Sequence, residues 1–88
     1  MSPSQQAVLI SLARQHYDDV NCLTFSGIQS QTGLDRRVIR LACRALARQG
    51  LARYVNGLWS DNGPAGAGYC STDAGYEFVR PDLDEEDA

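Results

Sequence analysis

Arg36, Arg37, Arg40, Arg44 and Arg48 crowd the stretch "LDRRVIRLACRALARQG" at residues 34–50, which holds one acid, Asp35. A guanidinium stays charged, carries its N–H donors in a planar fork, and pairs with phosphate oxygens or with the O6 and N7 edge of guanine. The chemistry on offer is recognition of an anion or a nucleic acid. No acid stands four residues from any of these arginines to form a helix-face ion pair, so the like charges are left to repel one another. On an arbitrary helix an arginine face is most often plain solvated surface, and its surroundings have to decide.

Little else in the chain is reactive. Cys22, Cys43 and Cys70 are widely spaced, no CxxC pair exists, and His16 is the single histidine. A zinc site needs about four close ligands, so no metal is expected. The three cysteines read as reduced, partly buried hydrophobes, with Cys43 an inert thiol. His16 reads as a solvated residue near a helix C-terminus, where its charge suits the dipole. No nucleophile, base and orienting group form a cluster, and no glycine loop is built to cradle phosphate. Neither an enzyme nor a cofactor is expected.

The charge balance misleads at first sight. The 88 residues carry a formal net charge of −3, yet every basic residue is an arginine. Asp82, Asp84, Glu85, Glu86 and Asp87 lie at the C-terminal end, and without residues 81–88 eight arginines face six acids, a net +2. Acidity thus belongs to an expected disordered tail at 81–88, and the domain expected over 1–80 is mildly basic with its charge clustered. The five acids of that tail nearly match the five arginines, so the tail is a candidate competitor for the arginine face. No apolar run reaches the roughly 18–20 residues of a membrane span, and "MSPSQQAVLI" lacks the charged and apolar regions of a secretion signal. A cytoplasmic protein is expected.

The arginines need elements to position them. A first helix is expected over 2–16, with Ser2 as cap, Pro3 in the first helical position, and Val8, Leu9, Leu12, Ala13 and His16 on one face. A short helix over 24–32 is capped by Thr24 or Ser26 and anchored by Phe25 and Ile28. Gly27 fits either the tolerant first turn or a close helix approach. Gly33 ends this helix in the left-handed conformation, and Asp35 caps a third helix running to about Gln49. At about 100° per residue, Val38, Ile39, Ala42, Ala45 and Leu46 fall opposite the arginines. After Gly50, "LARYVNGLW" reads as a strand, with Asn56-Gly57 either a hairpin turn or a bulge. Tyr54 and Trp59 read as core at the hairpin base. Residues 60–68 read as a loop, "YCS" as a short strand, and "TDAGYEFVR" as a helix capped by Thr72 and stopped by Pro81.

This order, mostly α with a small β-hairpin, resembles a winged helix-turn-helix DNA-binding domain over about residues 5–80. Thr32-Gly33-Leu34 is similar to the turn between the two helices. Leu46, Gly50 and Leu51 are similar to the exit into the first wing strand, and "GYCSTDAG" to the return strand and helix start of small MarR-like or phage-type regulators. Two features depart from the pattern: Ser71 stands where leucine is usual, and the wing "SDNGPAGAG" has no Arg or Lys.

The resemblance implies double-stranded DNA as partner, with the third helix in the major groove. Arg36, Arg37 and Arg40 are then base readers, Arg44 touches base or backbone, and Arg48 and Arg53 grip phosphate. Gln29, Ser30 and Gln31 are candidates for phosphate contacts from the second helix, and Asn62 and Gly63 for backbone contacts from the wing. A homodimer is expected, because one small domain has a small interface. So small a domain leaves little room for an effector pocket. The rival reading is a protein-interaction module whose arginine face docks an acidic partner, since this fold does not fix function.

Overall fold

The computed structural model describes residues 1–60 and 63–87. The elements run α1 (Pro3–Ala13), β1 (Cys22–Thr24), α2 (Phe25–Thr32), α3 (Arg36–Arg48), β2 (Ala52–Ser60), β3 (Gly63–Ser71) and α4 (Asp73–Asp87). Val8, Leu9 and Leu12 of α1, Ile28 of α2, Ile39 and Leu46 of α3, and Val79 of α4 are fully buried in one shared core.

Local chemistry sets the helix ends. Ser2 accepts from the Gln5 N–H at 3.2 Å, and Pro3 needs no partner for the N–H it lacks. Thr24 caps α2, accepting from the Gly27 N–H at 3.1 Å. Gly27 sits in the first turn of α2, the first of its two readings; a Cβ there would meet Leu23 Cδ2 of the adjoining β1 at 3.2 Å, and its nearest neighbours are Leu23 and Thr24 and not another helix. Gly33 ends α2 at φ 72°, a conformation only glycine adopts without strain. The Thr32 hydroxyl donates to the Ile28 carbonyl at 2.8 Å and accepts from the Leu34 N–H at 3.2 Å, which fixes the turn into α3. Asp35 holds the N-cap position of α3 in extended conformation, but its side chain makes no cap bond.

Three sequence expectations about secondary structure are corrected. β1 gives no local signal, and it makes the sheet three-stranded, in the order β1-β3-β2 with all pairs antiparallel. Three residues are too short a run to show alternation, and only pairing with β3 makes them a strand. Next, of the two readings of Asn56-Gly57 the bulge holds, and the expected loop at 60–68 is what changes. The register shifts between Val55 and Leu58, Gly57 has φ 72°, and pairing resumes to Ser60↔Gly63, so residues 63–68 are strand and not loop.

Finally, α4 does not stop at Pro81. It runs to Asp87 with Pro81 inside it, so residues 81–87 are helical where a disordered tail was expected. Proline removes one helix hydrogen bond, but tertiary anchors hold the segment. Leu83 packs on the core, and the Gln6 side-chain amide donates to Asp82 at 3.0 Å.

The cysteines also differ from expectation. Cys22 and Cys70 face each other across β1 and β3 and form a disulfide, with Cα atoms 4.3 Å apart. Cys43 is the free thiol among the described residues and is fully buried, which pushes its pKa up to about 12. The folded state thus favours the neutral thiol. This contribution to stability is complete below about pH 9 and declines as pH rises from there toward 12. At neutral pH, Cys43 is expected to resist iodoacetamide until the chain unfolds. Mass spectrometry after labelling with and without denaturant checks this, and rapid native labelling would count against it.

Candidate nucleic-acid interface

The α3 helix divides along its length. Ile39, Ala42, Cys43 and Leu46 are buried, Val38 and Ala45 are half-buried, and Arg36, Arg37, Arg40, Arg44 and Arg48 are all exposed. At about 100° per residue, Arg37, Arg44 and Arg48 stack in one row, with Arg40 beside it and Arg36 furthest round. Among the described residues none of the five has an ion-pair partner. Leu41 lies in the same row and is 57% exposed. At about 100° per residue its position falls among the arginines, so helical spacing already carried this signal in the sequence.

Two of the arginines are held in place. The Arg36 guanidinium donates to the Ser26 hydroxyl of α2. Arg40 lies over the Phe25 ring at 5.9 Å, a cation–π contact. Phe25 in turn meets Tyr69 edge-on at 6.1 Å, and Tyr69 meets Tyr54 at 5.5 Å. A continuous run of rings therefore ties α3 to the base of the β2–β3 hairpin. Burial, and next the neighbouring Cys43, push the Tyr69 phenol pKa up, while the nearby Arg44 charge pulls it down.

The other candidates divide. Gln29 and Ser30 are exposed on α2, three and four residues from Ser26 and so on the flank nearest Arg36. Gln31 instead lines a cleft between α1 and α2, with Ala7, Ile10 and Arg14. Arg53 opens on the far side of the sheet from Tyr54, into a cleft with His16, Tyr17, Asn21, Ser71, Thr72 and Asp73. Neither Gln31 nor Arg53 joins the α3 arginines. Asn62 lies outside the described residues. Tyr54 and Trp59 are not core: they are 52% and 74% exposed.

His16 is not the solvated residue expected. Its side chain is 10% exposed, its Nδ1 pairs with the Ser71 hydroxyl at 2.7 Å, and its Nε2 pairs with Asp73 at 2.9 Å. Its ring stacks on Tyr76 at 5.0 Å. Serine, histidine and acid thus do meet, although no such cluster is visible in sequence. The hydroxyl is buried and the carboxylate exposed, the reverse of what presents a serine to a substrate. The trio clamps the end of α1 to the junction of β3 and α4, and this explains serine at position 71. The adjoining cleft has a volume of about 430 Å³, within the size range of ligand sites, so the domain has more room than its length suggested.

A short helix, a glycine turn, an exposed second helix and a hairpin packed beside it define a winged helix-turn-helix fold. Solved structures agree. A MarR family regulator from Neisseria meningitidis is 21% identical, with TM-score 0.70, over 99% of this chain and 56% of that one. The PcaV transcriptional regulator from Streptomyces coelicolor, solved with its natural ligand, is 25% identical with TM-score 0.70 over 91% and 51%. A DNA-binding protein of Ralstonia eutropha, assigned that role provisionally, is 18% identical with TM-score 0.72 over 92% and 95%. The chain spans little more than half the length of the Neisseria and Streptomyces regulators, and nearly all of the Ralstonia protein. No protein-family model matches the sequence, and no curated protein matches it. Among the described residues no helix is long and apolar enough to cross a membrane.

Proposed function

We propose that the chain is a sequence-specific double-stranded DNA-binding module of a transcriptional regulator, acting in the cytoplasm without catalysis. The observation that carries this reading is the exposed row of Arg37, Arg44 and Arg48, with Arg40 beside it, without ion pairs among the described residues and on the second helix of a helix-turn-helix. Self-repulsion along that row is relieved when phosphates or guanine edges supply the missing counter-charge. Arg37, Arg40 and Arg44 read bases in the major groove, and Arg48 grips phosphate. Arg36, held by Ser26, and the adjacent Gln29 and Ser30 sit where a strand backbone passes. Leu41 offers an apolar surface suited to a thymine methyl. Two copies on a two-fold site are proposed, because one domain contacts few base pairs.

The rival reading, a module docking an acidic protein, draws support from the net charge of −3 and from a wing without basic residues. A salt titration separates the two. With a mixed-sequence duplex, log K is expected to fall linearly with log salt at a slope of roughly −0.9 per phosphate contact. Selection from a random duplex library should then return a preferred, palindromic site. Absence of duplex binding at low salt would defeat the DNA reading.

A further inference from the structure

We propose that Trp59 is the wing's DNA contact, its indole packing uncharged into the minor groove beside the major groove that α3 enters. This inference rests on the reading of the arginine face as a DNA-reading surface. Trp59 is 74% exposed near the far end of β2, opposite Pro64 of β3, and makes no ring contact among the described residues. The base of the same strand is fixed to the arginine helix through Tyr54, Tyr69, Phe25 and Arg40. From Tyr54 to Trp59 the strand advances roughly 16 Å, less what the bulge at Asn56-Gly57 removes. Adjacent grooves of B-DNA lie about half a helical turn apart, roughly 17 Å. A wing rooted beside α3 therefore carries Trp59 across one phosphate backbone.

The chemistry of the ring suits that place. The A·T minor groove displays only acceptors on its base edges, and the indole N–H is a donor only. Apolar side chains wedge between base steps in other minor-groove complexes. Such a contact replaces the charged wing residue absent here, and differs from it in one measurable way: it displaces no counterions, so it strengthens binding without adding to the salt dependence.

Trp59 is the single tryptophan, so the emission of the full chain reports on this position alone. On adding a mixed-sequence duplex, the emission is expected to be quenched and to become shielded from acrylamide. Trp59→Ala should weaken binding about tenfold at every salt concentration with the slope unchanged. Arg48→Ala, which removes the proposed phosphate contact, should instead reduce the slope by about one. Trp59→Phe should keep most of the affinity and lose a preference for A·T in the flanking minor groove. Unchanged emission, with Trp59→Ala binding as tightly as the parent while Arg48→Ala weakens, overturns the role of Trp59 and leaves the arginine reading intact. Failure of the parent chain to bind any duplex overturns both.

Discussion

Replacing Arg37, Arg40 and Arg44 together with alanine is expected to abolish selection of a preferred DNA site. Each base-reading arginine is worth roughly 1–3 kcal/mol, so the triple variant should lose about 3–9 kcal/mol of specific binding, enough to reach the non-specific level. The side chains are exposed and make no ion pairs among the described residues, so the fold should survive. The triple change does remove the stacking of Arg40 on Phe25, worth about 0.5–1 kcal/mol at an exposed site. Arg36→Ala should behave differently. It removes a group tied to Ser26 and should weaken all sequences alike. Electrophoretic mobility shifts on a selected site and on a scrambled one would separate these outcomes. Retention of site preference in the triple variant would remove α3 from the reading role.

The second large effect concerns the disulfide. Cys22 and Cys70 are 48 residues apart in sequence, and the intervening chain contains α2, α3 and β2. In the chain-entropy model, closing a loop of this length stabilises the folded state by about 4 kcal/mol. Reduction, or the double change Cys22→Ser with Cys70→Ser, is therefore expected to lower the Tm by roughly 15–30 °C for a domain of this size. Calorimetry with and without reductant measures it, and coincident curves would show that the bridge carries no stability. The consequence for the site is direct, because the bridge pins β1, whose last residue Thr24 caps α2.

Some corrections share one physical origin. Cys22 and Cys70 give no signal because their pairing depends on the register of β1 against β3, which no local pattern encodes. His16, Ser71 and Asp73 are brought together by the same junction from distant points of the chain. Trp59 reads as core in sequence because a large aromatic on a strand usually is. Its burial depends on whether another layer covers that end of the wing, and among the described elements none does. Pro81 has high breaking propensity, yet the anchors at Leu83 and Asp82 outweigh one missing helix bond.

What the sequence by itself determined was the helix-turn-helix and the two sides of α3. Those depend on short-range features: Ser2 as a cap, Gly33 as a left-handed stop, and apolar residues recurring at helical spacing over Val38 to Leu46. Each acts within one or two turns, so the chain's own order displays it. The tertiary structure alone decided that Arg53 and Gln31 open elsewhere and that Trp59 faces outward. Those outcomes depend on packing between segments far apart in sequence, where a side chain's fate is set by what arrives opposite it.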